Sequence, residues 1–501
     1  MKRISALVLI LLFLLTGCIT NPVVESEVPA SVEALMTEAP TEAPTPTPSP
    51  EPTPTPIPEA PYIDARKPYS YIWQNERDRK WEEDFVYLAN TFLDPYNGHP
   101  LLSDRMCTVL SFEDLVVRYA KQDTENFFDA ELKARFIDRI NEMIVSVPDR
   151  TDDELSFGIL ETVSMLHDLH SYVVLQQREI LPIRVVSAMT EEGTVIMIES
   201  GADLLSSVFG MQLVAINDVP TEEIIERIRP LISVENEYAF LNSALERGYF
   251  RNCELLRYIG VIGDERTVQI TARDADGKEK KVNIVPWSAS DTKRWNNNYD
   301  WYISDEGHEW DDNGRYIRDL DTSIEIWAGF LAEGEALYFR VNSCAVSSSF
   351  EDTFTDAFEA AKQIGKLKKV IIDFRNNTGG YPDLDGSFLP LVRLLKEADA
   401  QTYILVDGGS FSAAIGLPSV LRRRVTNAKL VGTPGGQPPR FFVGNTITLP
   451  NSGITVGCSS KLYDFWPGYE GDALMPDVTV YETIDDFLNG YDSVLKYILE
   501  Q

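Results

Sequence analysis

The stretch "DGGSFSAAIG", residues 407–416, follows the apolar run "TYILV" and leads into "SAAIGLPSVLRRR". An apolar run bounded by turn formers reads as a buried strand, and the residues after it have helical spacing. The glycines and serines between them admit two readings. Ser410 and Ser412 cap the helix and do nothing else, or Ser412 is a nucleophile at the mouth of a site. At a helix N-terminus, free N–H groups and the dipole favour developing negative charge. The stretch is not a GxSxG elbow, because positions 410 and 414 are Ser and Ala.

Around it, strands and helices alternate from about residue 335. "ALYFRV", a helical run at 350–364, "KVIIDF", "LPLVRLLKEA" and "TYILV" lead to the 412–424 helix, which Pro418 is expected to kink or shorten. "TIDDFLNGYDSVLKYIL" reads as one final helix. Such alternation indicates an α/β unit with a largely parallel sheet, here residues 330–501. Two loops, "DFRNNTGG" (373–380) and "DGGSFSAA" (407–414), lie at the C-terminal ends of its strands, the edge where open α/β sheets bind ligands. Gly379 and Gly380 free the backbone to turn N–H groups toward a substrate oxygen, as an oxyanion hole requires. The same loop also reads structurally, with Asp373 and Arg375 as an ion pair and Asn376 and Asn377 as turn formers.

The 501 residues suffice for about three domains, and 44% of them are hydrophobic. A net charge of −33 argues against nucleic acid as a partner, since phosphate is repelled. Lys2 and Arg3, the apolar run "ISALVLILLFLL" and "LTGC" form a leader too short to span a bilayer. Residues 1–18 resemble a bacterial lipoprotein signal peptide, with Cys18 the lipidated N-terminus. Residues 19–61 hold "TEAPTEAPTPTPSPEPTPTPIPEAP", a Pro/Thr-rich disordered linker with little to bury. Residues 62–165 show i, i+3, i+4 repeats and read as a helical domain. Residues 180–286 read as short strands, with a hairpin at an Asp-Gly turn and a helix at "PTEEIIERI". Cys107, Cys253, Cys344 and Cys458 have no metal-like spacing and read as buried free thiols.

A serine nucleophile needs a base. The chain has four histidines, two of them in "LHDLHS" (166–171) at the end of a helical run. His167 and His170 at i, i+3 share one helix face, a spacing that also suits a metal, but no third ligand stands nearby. Several motifs in order then carry a resemblance. "VIIDFRNNTGG", "DGGSFSAA", "AKLVGTPGG" and "YEGDALMPDVTV" resemble the catalytic segments of the tail-specific protease family, the C-terminal-processing serine peptidases. "LHDLHS" resembles the family's histidine loop, and "GMQLVAINDVP" is similar to its PDZ-like module. The match runs over about 160–490. Gln437 and Pro438 stand where the Ser–Lys branch has its lysine, while His170 and Glu470 match the Ser–His, tricorn-like branch. Leu169 replaces the usual glycine before the histidine, and Ile415 a frequent glutamate. Asp168 is a rival for orienting the base, and Lys429 and Lys461 are alternatives for a Ser–Lys dyad.

The resemblance implies a crotonase-like α/β protease core with a PDZ-like domain and an N-terminal helical domain. It implies Ser412 as nucleophile, His170 as base and Glu470 as its orienting partner, with N–H groups of Gly379 or Gly380 and of Ala413 holding the oxyanion. The substrate is a polypeptide or peptide, and no metal or organic cofactor is required. The anchor at Cys18 places the protein on the outer face of the cytoplasmic membrane. The competing reading is a non-catalytic surface lipoprotein that binds peptides or wall components, although "REILPIRV" offers no glycine-rich carboxylate loop for it. If Cys18 carries lipid, Cys18→Ser releases the protein or leaves its leader uncleaved. An unmodified mature N-terminus elsewhere, found by mass spectrometry, removes the anchor.

Overall fold

The computed structural model describes residues 75–94, 98–99, 102, 109–111, 118–119, 130–190, 193–245, 248–290, 299–301, 324–344, 349–380 and 388–501. The leader, Cys18, the Pro/Thr-rich linker and Cys107 lie outside the described residues.

The first helices among the described residues are α1 (Glu76–Leu93), α2 (Ala130–Ser146) and α3 (Asp152–Ser164). Asn75 caps α1 through the Asp78 N–H, and Thr151 and Glu154 form a reciprocal capping box on α3. These helices do not close a core of their own. Phe85, Leu88 and Phe92 of α1, Phe136 and Ile140 of α2, and Leu155 and Ile159 of α3 join the interior of the next unit in one apolar core.

That unit is an antiparallel sheet of β1 (Ile183–Thr190), β2 (Gly193–Ala202), β3 (Gln212–Ile216), β4 (Val268–Arg273) and β5 (Glu279–Ile284). Its order is β5-β4-β3-β2, with β1 also on β2. The β4–β5 hairpin turns at Gly277 with φ +80°, as the Asp-Gly signal requires. Helices α4 (Thr221–Ile228), with Pro220 immediately before it, α5 (Glu237–Leu245) and α6 (Cys253–Tyr258) accompany the sheet.

The last unit alternates β6 (Ile326–Leu331), β7 (Ala336–Val341), α7 (Ser349–Ile364), β8 (Lys369–Asp373), α8 (Leu389–Ala398), β9 (Gln401–Val406), α9 (Ala413–Arg424) and β10 (Ala428–Gly432). A hairpin of β11 (Arg440–Thr448) and β12 (Thr455–Asp464) follows, then β13 (Val478–Thr479), α10 (Ile484–Asn489) and α11 (Ser493–Glu500). The sheet order is β6-β7-β8-β9-β10-β13, parallel throughout except for β6. Period-two alternation sends Leu337, Phe339, Ile372 and Ile404 toward α7, α8 and α9, and Tyr338, Ile371, Tyr403 and Leu405 toward α11. The architecture is mixed α/β, with both faces of the parallel sheet covered.

Two expectations are corrected. Pro418 does not shorten α9, which runs through it to Arg424. Residues Ala413 to Leu421 are all buried, so packing outweighs the lost hydrogen bond, and the Ser419 hydroxyl donates to the Ile415 carbonyl one turn back. The final helix is two helices. Gly490 ends α10 with φ +74°, and the Asp492 carboxylate caps α11 at the N–H groups of Val494 and Leu495. Cys253, Cys344 and Cys458 are buried free thiols, each pushed up to about 12 by burial.

Asp492 also receives two hydrogen bonds from Arg375, at 2.9 and 2.7 Å, and Arg375 in turn binds the Asp373 carboxylate at 3.0 and 2.6 Å. Tyr338 donates to Asp373, and Arg340 to the Arg375 carbonyl. Burial raises the Asp373 carboxyl, but the Arg375 and Arg340 charges outweigh it and hold the group below its usual range. Its contribution to stability is therefore present above the ordinary carboxylate pKa and lost as pH falls. Arg375→Met strands two buried carboxylates and is expected to cost about 3–5 kcal/mol. Urea unfolding measures this, and the deficit should narrow at low pH, where protonation relieves the stranded carboxylates.

Candidate active site

The turn after β9 is tied down by its own polar atoms. Asp407 Oδ1 accepts the N–H groups of Asn376, Gly409 and Ser410. Ser410 is fully buried, accepts the Asp407 N–H and donates to the Phe374 carbonyl. Ser410 is thus a structural residue that joins the two strand-end loops. Ser412 differs. It stands at the N-cap of α9 with φ +59° and ψ −122°, and its side chain caps nothing. A side chain in such a backbone conformation costs on the order of 1–3 kcal/mol and persists only where its surroundings enforce it. The Ser412 Oγ lies 3.0 Å from His170 Nε2.

His170 is brought there by a loop rather than a helix. α3 ends at Ser164, and His167 turns the chain with φ +49° and is exposed. His167 and His170 therefore share no helix face. Asp168 between them is buried and holds the loop. Its Oδ2 meets His99 Nε2 at 3.0 Å and accepts from Ser171 Oγ at 2.7 Å and Ser459 Oγ at 2.5 Å. Its Oδ1 accepts the His170 backbone N–H at 3.1 Å, and its own backbone binds the Ser233 hydroxyl. The His170 ring packs against Phe411, 4.3 Å between centroids, and stacks on Phe441 at 5.6 Å. At Gly457 of β12 a Cβ would fall 2.4 Å from the His170 carbonyl oxygen, so only glycine lets this strand underlie the His170 loop.

Three neighbouring residues escaped the sequence reading. Gln437 is fully buried, and its Oε1 accepts the Ser412 N–H at 2.9 Å. Its Nε2 donates to Glu235 and lies 3.5 Å from His170 Nδ1. Glu235 also accepts the Leu169 N–H at 3.2 Å, and burial together with the Asp168 charge pushes its carboxyl up to about 8. The third is His99, buried beneath Asp168. Gln437 was visible only as the absence of a lysine. Glu235 sits in "SVEN" and His99 in "NGHP", which carry no periodic or motif signal.

The other expected residues divide. Gly379 and Gly380 adopt φ +91° and +142° beneath the serine. The Gly379 N–H donates to Asn377 Oδ1 at 2.8 Å, so it is engaged and does not face a substrate. The N–H groups of Gly380 and Ala413 make no hydrogen bond among the described residues. Gly379 serves by its size, since a Cβ there would lie 2.6 Å from the Ser412 Cβ. Glu470 is exposed and makes no hydrogen bond or ion pair among the described residues, so it is not brought to His170. Asp477, in the Pro-Asp motif, grips Arg422 of α9 and the Leu430 N–H. Lys429 and Lys461 are exposed strand residues.

Side-chain ligand atoms of Asp168, His170 and Glu235 lie within 4.8 Å of one another. Among the described residues they form the one carboxylate–imidazole group from which a metal ligand set would have to be drawn, but Asp168 Oδ2 is already engaged by three donors and His170 Nε2 faces the serine. The arrangement suits proton transfer from a hydroxyl to an imidazole beside a helix N-terminus. Gly379→Ala adds a Cβ where φ and space both forbid it. It should slow phosphonylation of Ser412 by about a hundredfold or more with far-UV circular dichroism unchanged, since a misplacement of about 1 Å has that effect.

No protein-family model and no curated relative matches the sequence. Solved structures do. Mature CPAF complexed with lactacystin is 12% identical, with a TM-score of 0.55 over 85% of this chain and 98% of that one. Mature CPAF is 11% identical, with a TM-score of 0.52 over 85% and 96%. The photosystem II D1 C-terminal processing protease is 9% identical over 84% and 98%, with a TM-score of 0.34. The CPAF likeness shows the fold of this chain.

Proposed function

We propose that this protein is an exported, membrane-anchored serine peptidase. The observation that carries the reading is the 3.0 Å approach of His170 Nε2 to the hydroxyl of Ser412, a serine held at positive φ on the N-terminus of α9. Ser412 Oγ attacks a peptide carbonyl carbon as His170 Nε2 takes its proton. The tetrahedral oxyanion is held by the N–H groups of Ala413 and Gly380. His170 then returns the proton to the leaving amine, and an acyl-Ser412 ester remains. Water, deprotonated by His170, hydrolyses that ester and restores the serine. Every step is proton transfer and acyl transfer, which this group of residues supplies without a cofactor.

Within this reading the parallel sheet with α7 to α9 is a crotonase-like core, β1 to β5 with α4 form a PDZ-like unit, and α1 to α3 belong to the N-terminal helical part. Lipid on Cys18 tethers the chain to the outer face of the cytoplasmic membrane, and the Pro/Thr-rich linker holds the catalytic body away from it. The CPAF likeness supports the fold on which this rests.

A fluorophosphonate probe tests it. The purified protein should label once, at Ser412, and Ser412→Ala should abolish labelling. His170→Ala should slow it by about three orders of magnitude or more, whereas His167→Ala should react as the parent does. Equal effects of the two histidine variants, or labelling that survives Ser412→Ala, would overturn the assignment.

A further inference from the structure

We propose that Glu235, from the segment between α4 and α5, is the positioning acid of the Ser412–His170 pair, with Gln437 as the bridge that fixes it. The proposal rests on the serine-peptidase reading and deepens it. Gln437 sets the geometry. Its Oε1 accepts the N–H of Ser412, which only a carbonyl oxygen can do, so its amide nitrogen faces the other way, toward Glu235 and His170 Nδ1. For His170 to accept the serine proton at Nε2, its Nδ1 must carry hydrogen. Two donors, that N–H and the Gln437 amide, then converge on one acceptor. The Glu235 carboxylate is that acceptor. It takes the Leu169 N–H on one oxygen and the Gln437 amide on the other, and its four lone-pair sites leave room for the imidazole.

The alternatives are engaged elsewhere or exposed. Asp168 Oδ2 takes His99, Ser171 and Ser459, and its Oδ1 takes the backbone of His170 rather than the ring. Glu470 is exposed. Glu235 is also fixed from both sides in the chain. The Ser233 hydroxyl binds the Asp168 backbone, and Asn236 Nδ2 donates to the carbonyls of Gly435 and Asp472. The site is therefore complete only when residues 233–236 are seated against both the base loop and the Gln437 loop.

The titratable groups facing Glu235 are Asp168 and His170, with His99 on the far side of Asp168. Burial and the Asp168 charge raise the Glu235 carboxyl. Once ionised, a carboxylate beside an imidazole favours the imidazolium, and removing it withdraws that support.

The test follows the second-order rate of fluorophosphonate reaction at Ser412 against pH, on the full chain in detergent. Glu235→Gln should move the acidic limb to lower pH, toward the ordinary imidazole value of about 6.5, and lower the plateau by about a hundredfold or more. Glu470→Gln should keep the parent profile. A Glu235→Gln profile that matches the parent in limb and plateau overturns the proposal and leaves the serine-peptidase reading intact. A parent that does not label at Ser412 overturns both. If Glu235→Gln does not fold, Glu235→Asp decides. It keeps the charge but shortens the reach, so a retained limb with a lowered plateau supports the proposal, and a parental plateau overturns it.

Discussion

Arg375 is held out of water between Asp373 and Asp492, and a buried charge tolerates little slack in its pairing. Asp373 ends β8, and Asp492 starts α11. The guanidinium therefore fixes the end of a parallel strand against the last helix of the chain. The loop that leaves β8 has no freedom until it has passed this point. Its next residues are spent on further fixing, with the Asn376 N–H on Asp407 and the Asn377 side chain on the Val341 carbonyl and the Gly379 N–H. By the time the loop reaches Gly379, its backbone lies directly beneath Ser412 with room for no Cβ. An ion pair read as a loop-shaping feature thus determines where Ser412 sits.

His170 is placed by a different principle. No single segment holds His170. Asp168 gathers donors from the N-terminal part (His99), the base loop (Ser171) and the β11–β12 hairpin (Ser459), while the middle unit contributes Ser233 and Glu235. That convergence explains why α1 to α3 share a core with β1 to β5. A base loop bonded to all of these parts at once keeps its geometry only if the parts do not move against one another. One continuous apolar interior supplies that rigidity, since close-packed cores resist small displacements.

What was legible in the sequence follows from this division. The strands of the parallel sheet are buried on both faces and read as apolar runs, so "KVIIDF" and "TYILV" are found nearly to the residue. Ser412 and His170 lie in compact motifs whose Gly, Ser and Asp residues encode the local turns. Pro418 misled because its cost is local and the burial of α9 is not. The final helix misled because its break depends on Gly490 and on Asp492 serving both Arg375 and a cap. Glu235 was beyond reach. It lies in a short connection between helices, and only tertiary packing brings it beside a histidine 65 positions earlier. Glu470 draws notice in the sequence because it precedes a Pro-Asp pair, yet in this fold that motif acts through Asp477, which secures α9 to β10.

Leu169 connects these observations. The resemblance places a glycine before the histidine, a residue suited to positive φ, but here positive φ falls on His167 and Leu169 has an ordinary backbone. The side chain is free to pack, and it is buried with Ala239 of α5 and with Phe411, the residue before Ser412. Burial of a leucine contributes roughly 1.5–3 kcal/mol, comparable with the strain held at Ser412. The same packing lays the base loop along the start of α5, which turns the Leu169 N–H onto Glu235. A departure from the family pattern at one position therefore has a physical counterpart at another. Where a glycine would leave the loop to be shaped by its own turn, a leucine anchors it to the middle unit and brings a carboxylate from that unit to the histidine.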